Sequence, residues 1–388
     1  MSRYHNTVIR ECGPGILQRL ALILLLSWPL LAIASEADRY LREAESYYNR
    51  NEFSAAVIQL KNSLLANPGN GEARLLLGKA YLEVKDGPSA SKELTRAQEL
   101  GIPRERVLEP LGRALLMSGQ YNKLLDTITA QAGDPAKLRI DILLLQGQAC
   151  LATRKFAMAE EKFTGALELQ PDSAEAMLGM ARISHRNGDL SGATSLIEQA
   201  LSAEPDNTQA WSMKGALLRS GGQTQEAIVA FDKALAIDPG NMSAYLGRAM
   251  GHITLGQPDR ALKDIAAAQQ GKVQPYLADY LRALAYYQKQ KIKPAREAVQ
   301  RSLKHRQDFL PAHLLAGTLA YRQGEYNQAE KHLRTYWTRA PQNTNAAKLL
   351  GAALMKLDRP GRTIEVLEPG VDQAADDAQY LALLGSAY

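Results

Sequence analysis

Small, larger apolar and polar positions follow one another along this chain with a fixed period. A glycine or alanine returns every 34 residues, with a single interval of 35. This first small column consists of Ala44, Gly78, Gly112, Gly147, Ala181, Gly215, Ala249, Ala283, Gly317, Gly351 and Gly385. Self-similarity at such a period predicts a repeat architecture rather than a set of ordinary domains.

A second small column lies twelve residues after the first. It consists of Ala56, Ala90, Ala159, Ala193, Ala227, Ala261, Ala295 and Ala329, and it fails at Leu124 and Thr363. Two antiparallel helices pack closely only where side chains are small, so the two columns predict a helix pair in each repeat. Polar turn segments such as Asn187-Gly188-Asp189 separate the two helices.

Prolines mark the ends of several second helices, because proline cannot continue a helix. These are Pro68, Pro171, Pro205, Pro239 and Pro341. The repeat around residues 127–137 is the least regular and carries the one-residue insertion.

The period and the pattern of Gly/Ala, Tyr, Ala, Phe and Pro resemble the tetratricopeptide repeat over residues 36–388. The resemblance implies an all-α fold, a right-handed superhelix of about ten antiparallel helix pairs. The chain stops within a first helix and without a polar cap, so we expect that it is a truncated form of a longer protein.

Three segments run from Arg39 to Leu82, from Leu333 to Pro369 and from Asp376 to Tyr388. They resemble one bacterial family more closely, the tetratricopeptide-repeat protein of the PEP-CTERM/exosortase system. The resemblance implies an exported protein, usually lipid-anchored, that accompanies exopolysaccharide synthesis and the sorting of surface proteins. This chain departs from the family because no lipid-acceptor cysteine follows its leader.

The first 34 residues are predicted to be a secretory signal, and residues 35–388 to be the repeat array. Arg3, Arg10 and Arg19 precede an apolar run from Leu20 to Ala34 that is shorter than the about 20 residues of a membrane-spanning helix. The small residues of Ala32-Ile33-Ala34 at the end of this run predict cleavage by signal peptidase before Ser35. We therefore expect a periplasmic or outer-membrane-associated protein of a Gram-negative bacterium. An uncleaved anchor is the alternative, so membrane association stays open.

Composition excludes several other classes. The formal charge of +5 is small and dispersed, which argues against a nucleic-acid partner. The two cysteines exclude a disulfide framework. No phosphate-binding glycine loop, catalytic motif or metal-ligand spacing occurs, so we predict a non-enzyme without cofactor or metal. Cys150 and His252 occupy a packing column, and we interpret them as core residues.

Two positions in each first helix are predicted to face a concave groove, one and four residues after the first small column. Their polar and aromatic members are the candidate binding residues. These are Lys79, Arg113, Gln148, Arg182, His185, Arg219, Tyr287 and Tyr321. The first six would form a cationic N-terminal half, and the two tyrosines an aromatic and apolar C-terminal half.

Arginine donates bidentately to carboxylates, so the cationic half predicts capture of a protein or peptide partner. The tyrosines could instead stack on sugar rings. A basic run from Lys289 to Arg306 lies mostly on a second helix, where it could contact anionic polysaccharide or lipid headgroups. The simpler interpretation of both features is a solvated charged surface.

Three functions remain open from the sequence. The first is a non-enzymatic exported scaffold of the exopolysaccharide-associated sorting system. The second is a periplasmic solenoid of a polysaccharide-export machine whose outer-membrane domain lies beyond Tyr388. The third is the recognition arm of an enzyme such as a glycosyltransferase, which export disfavours because nucleotide-sugar donors are cytoplasmic.

Overall fold

The computed structural model describes residues 36–269 and 275–388, and these residues form helices and turns without any strand. The all-α repeat fold predicted from the sequence is therefore confirmed. The leader predicted over residues 1–34 lies outside the described residues, as does Cys12. Within the described residues, no helix is both long and apolar enough to cross a membrane.

The described residues divide into two compact units, one within residues 36–189 and one within residues 190–388. The helices of the first unit are α1 (36–49), α2 (Phe53–Ala66), α3 (Gly71–Glu83), α4 (Gly87–Glu99), α5 (Arg104–Met117), α6 (Tyr121–Thr127), α7 (Ala136–Ala152), α8 (Phe156–Leu169) and α9 (Ala174–Arg186).

The helices of the second unit follow the same alternation. They are α10 (Leu190–Ala203), α11 (Thr208–Ser220), α12 (Thr224–Ile237), α13 (Met242–Thr254), α14 (Pro258–Ala268), α15 (Pro275–Gln288), α16 (Ile292–His305), α17 (Leu310–Arg322), α18 (Tyr326–Trp337), α19 (Thr344–Lys356), α20 (Pro360–Leu367) and α21 (Ala378–Ala387). Odd-numbered helices are the first helices of their repeats and even-numbered helices the second. Two short 3₁₀ turns connect α20 to α21.

Several first helices begin with the same kind of side-chain N-cap. Two residues after each predicted proline stands an asparagine or serine whose side chain caps the next first helix. These caps are Asn70, Ser173, Asn207, Asn241 and Asn343. Each side-chain oxygen accepts a hydrogen bond from the third backbone N–H of its helix, for example Ala210 N–H to Asn207 Oδ1 at 2.9 Å. The proline follows the end of one second helix, and the capping residue two positions later precedes the next first helix.

The small columns have a direct packing role. The Phe163 ring of α8 is 1% exposed and lies against Gly147 of α7 and Gly179 of α9. A Cβ atom at Gly179 would stand 2.5 Å from that ring. Phe231 lies in the same way against Gly215 and Gly247. One aromatic ring thus connects two successive first helices, and only glycine leaves room for it.

The irregular third repeat has a shortened second helix. α6 spans 7 residues, and the following loop carries the insertion. Ile128, the residue after α6, is fully buried in the core of the first unit. Its carbonyl accepts a hydrogen bond from Gln146 Nε2 at 2.8 Å.

Candidate functional site

A cavity of about 490 Å³ opens on the first helices of the first unit. Such a volume lies within the about 300–1,000 Å³ usual for ligand pockets. Its walls come from the last turns of α5, α7 and α9 and from the first residues of α6 and α8. The lining residues are Leu116, Tyr121, Gln148, Leu151, Ala152, Phe156, Arg182 and Arg186. We call this space the α5–α9 cavity.

The floor of the cavity is apolar because of the repeat. Leu116 and Leu151 occupy the same repeat position, four residues after the first small column. Tyr121 and Phe156 each begin a second helix five residues further on. All four are half-buried. Leu116, Tyr121 and Leu151 pack against the core beneath them. The third and fourth repeats therefore each contribute one leucine and one ring to the cavity.

Two arginines and one amide form the polar part of the lining. The Arg186 guanidinium lies over the Phe156 ring, 3.7 Å from Cζ to the ring centroid, which is a cation–π contact. Gln148 Nε2 donates a hydrogen bond to the Glu175 carboxylate. Desolvation lowers the pKa of Arg182 although its side chain as a whole is exposed, and the nearby Glu175 opposes that effect. Arg182 remains a cation, since arginine stays protonated in proteins.

The structure places the other predicted residues of the first unit elsewhere. Lys79 lies near Glu72, whose carboxylate receives two hydrogen bonds from Arg106 at 2.6 and 2.7 Å. Arg113 is exposed and its Nη1 lies 3.6 Å from Glu109 of the same helix. His185 is exposed near the end of α9. The structure brings Gln148 and Arg182 together in one cavity, whereas Lys79, Arg113 and His185 are not among its lining residues.

The remaining three predicted residues belong to the second unit. Arg219 is half-buried at the end of α11. The Tyr287 ring is covered by the Arg322 guanidinium, with Cζ 4.6 Å from the ring centroid. The Tyr321 ring packs edge-on against Tyr326, with centroids 5.6 Å apart. Both tyrosine rings therefore already have partners within the chain.

The basic run from Lys289 to Arg306 is largely neutralised by acids. Four of its cations form ion pairs, and their carboxylate partners are Asp259, Asp279, Glu325 and Asp308. Such pairing reduces the electrostatic attraction that the run could exert on an anionic polymer.

Among the aromatic and charged residues of the lining, sequence reasoning missed Tyr121, Phe156 and Arg186. A signal for the first two was present, because both are aromatic and stand 35 residues apart across the insertion. Sequence reasoning also missed a histidine pair in the second unit. His313 and His332 are 19 residues apart, yet their Nδ1 atoms lie 3.0 Å from each other.

Cys150 and His252 are buried among the packed helices. Among the described residues, no group of three or more His, Cys, Asp or Glu side chains could hold a metal ion. Cys150 is fully buried, and burial raises the pKa of its thiol. His252 is buried too, with Nδ1 3.0 Å from Gln257 Oε1 and Nε2 3.7 Å from Asp264 Oδ2.

Three family models of the tetratricopeptide repeat match the sequence. One matches residues 151–217 and 320–387, the second residues 41–105 and the third residues 208–241. Together these matches span more than half of the 388 residues. The chain belongs to the tetratricopeptide-repeat family. Proteins of this family generally bind protein or peptide partners and act as non-catalytic scaffolds.

Solved structures resemble this tetratricopeptide-repeat protein in fold. PilW, a widely conserved type IV pilus biogenesis factor, is 19% identical with a TM-score of 0.49, over 54% of this chain and 98% of its own. A tetratricopeptide-repeat protein from Parabacteroides merdae is 15% identical with a TM-score of 0.48, over 64% and 98%. YrrB, a TPR protein with an unusual peptide-binding site, is 17% identical with a TM-score of 0.38, over 48% and 96%. Among curated proteins, none matches the sequence significantly.

Proposed function

We propose that this tetratricopeptide-repeat protein is a scaffold that holds a peptide segment of a partner protein in the α5–α9 cavity. The observation that carries this proposal is an open apolar floor bordered by two guanidinium groups. Leu116 and Leu151 would hold an apolar side chain of the peptide. Arg182 and Arg186 would receive a carboxylate from an acidic side chain or a chain terminus.

The apolar and the charged residues of the cavity would contribute to binding in different ways. Removing apolar surface from water supplies about 25 cal/mol per Å² and has little directionality. A guanidinium opposite a carboxylate adds direction and specificity through charge-assisted hydrogen bonds. Arg182 is exposed and lines the cavity, so a carboxylate can reach its guanidinium from solvent.

Two finer assignments belong to the same proposal. The basic and apolar leader pattern supports export to the periplasm or the outer membrane. The resemblance of Arg39 to Leu82, and of the two later segments, supports a role in an exopolysaccharide-associated PEP-CTERM sorting system. In that setting the peptide would belong to another protein of the sorting assembly.

The test is in-cell photo-crosslinking from Ala152, an exposed lining residue that carries none of the proposed contacts. We expect a discrete protein adduct from a photoreactive residue at position 152, and none from exposed Lys293 of α16. Arg182→Glu should abolish the adduct, whereas Arg113→Glu should not, because Arg113 lies outside the cavity lining. An adduct that survives Arg182→Glu, or a heterogeneous smear that glycosidases remove, would reject peptide capture in this cavity.

A further inference from the structure

A buried carboxylate in the second unit is surrounded by more cations than it can neutralise. Glu330 of α18 is 8% exposed. Its Oε2 accepts a hydrogen bond from Arg359 Nη1. Its Oε1 lies 3.2 Å from both Arg334 Nη2 and Arg362 Nη1. These four residues, the Glu330 cluster, combine one negative and three positive charges.

The preceding repeat shows what the fold itself requires at this joint. One period earlier, the positions of Glu330 and Arg359 are held by Arg296 and Glu325. Arg296 Nη1 and Glu325 Oε1 form the same contact at 2.5 Å with the signs reversed. A single ion pair is therefore sufficient to connect these two elements.

The other two arginines of the cluster have no counterpart in that repeat. The positions of Arg334 and Arg362 are held there by Gln300 and Gln328. Arg334 and Arg362 share one carboxylate oxygen at 3.2 Å, longer than the about 2.7–2.9 Å of strong charge-assisted bonds. Within the described residues, neither arginine pairs with any other carboxylate. Their side chains are 32% and 57% exposed, so their remaining N–H donors can be reached from solvent.

From this excess we infer that the Glu330 cluster is a binding site for a tetrahedral oxyanion, a phosphate group. The cluster carries two uncompensated positive charges, and a phosphate carries about −1.5 to −2 near neutral pH. The guanidiniums of Arg334 and Arg362 come from different helices, and each lies 3.2 Å from the same Glu330 oxygen, so they are neighbours. An anion with three or more acceptor oxygens can contact both of them, and guanidinium groups match phosphate geometry.

The occupant could be free phosphate or a phosphate group carried by a larger molecule. Both present the same oxygens to the arginines. They differ in the substituent, for which the exposure of Arg362 leaves space. Inorganic phosphate and methyl phosphate are therefore the two probes.

The experiment is a ³¹P NMR titration of the full chain at pH 7.5, with ionic strength held constant by sodium chloride. We expect saturable binding of inorganic phosphate, weakened about tenfold by Arg334→Gln or by Arg362→Gln. The matched control is Arg296→Gln, which removes an arginine from the equivalent one-to-one pair and should leave the affinity unchanged. Tighter binding of inorganic phosphate would indicate the free ion, and equal or tighter binding of methyl phosphate a phosphorylated ligand.

A second measurement separates binding from a structural role of the arginines. Glu330→Gln removes the internal anion, so added phosphate should raise the melting temperature of this variant more than that of the wild type. A merely structural cluster predicts the same small shift in both proteins. Binding that does not saturate, or that Arg334→Gln and Arg362→Gln leave unchanged, would overturn the inference.

Discussion

The histidine pair of the second unit shows how one residue can set a pH dependence. His313 Nε2 lies 2.8 Å from the Gln307 carbonyl oxygen, so this nitrogen carries a proton and donates it. His313 Nδ1 lies 3.0 Å from His332 Nδ1, so one ring donates a hydrogen bond to the other. Burial, with smaller contributions from His313 and Lys331, lowers the pKa of His332 to about 4. The folded state therefore holds His332 neutral where the unfolded chain would protonate it.

The sign of the resulting pH effect follows from this depressed pKa. Between the unfolded pKa of about 6.5 and the folded value, the unfolded state binds more protons, so stability falls as pH decreases. We expect His332 to contribute about 2–3 kcal/mol less to the free energy of unfolding at pH 4 than at pH 7. Urea denaturation at both pH values measures this loss, and His332→Gln should remove it.

Exposed His185 supplies the control for that prediction. His185→Gln should show the same pH dependence as the wild type, because this side chain stands in solvent in the folded state as well. A His332→Gln protein that loses as much stability as the wild type on acidification would assign the effect to other groups.

At the scale of helices, the stacking of first helices depends on rings that fit between glycines. Gly179→Ala would place a methyl group 2.5 Å from the Phe163 ring, which also lies against Gly147. The ring cannot move away from one glycine without approaching the other. We expect a loss of about 1–3 kcal/mol in the free energy of unfolding, as in other overpacked cores.

Gly165 provides the matched control on the same helix as Phe163. A Cβ atom at Gly165 would meet its nearest neighbour at 3.6 Å, an ordinary contact distance with Leu143. Gly165→Ala should therefore stabilise the protein by about 0.5–1 kcal/mol through helix propensity. Equal stability changes in the two variants, measured by chemical denaturation, would show that α7, α8 and α9 do not pack as described.

The helix pattern itself could be predicted from the sequence because each repeat presents the same signals in the same order. Prolines such as Pro171 and Pro205 were predicted to close second helices, and α8 and α10 end two residues before them. The capping role of Ser173 and Asn207 was not predicted, although both residues stand at the same distance from a proline. Local signals thus determine the helices, and the regular period determines which helices pair.

The candidate site was less predictable, for a physical reason. The groove positions of single first helices predict Gln148 and Arg182, and both line the α5–α9 cavity. Tyr121 and Phe156 belong to the next helices and reach the cavity only because each second helix begins beside it. Arg186 depends on its stacking against Phe156, 30 residues earlier in the chain. This contact joins two repeats, and no signal within a single helix indicates it.

At the scale of the whole molecule, the compartment decides which partners the α5–α9 cavity can meet. The leader pattern predicts that a Gram-negative host exports the chain and removes residues 1–34. Mass spectrometry of the purified protein should then give a mature chain that starts at Ser35, recovered in the periplasmic fraction. The small residues at the cleavage site are the determinant, so Ala32→Gln with Ala34→Gln should leave the leader attached without preventing translocation.

Arg19→Lys is the matched control for this experiment, since it keeps the positive charge before the apolar run and should be processed like the wild type. A full-length wild-type chain in the membrane fraction would establish an uncleaved anchor and still place the repeats outside the cytoplasm. A full-length chain in the cytoplasm would contradict export. It would also remove the sorting assembly from the proposed function, since the cavity could then bind only cytoplasmic peptides.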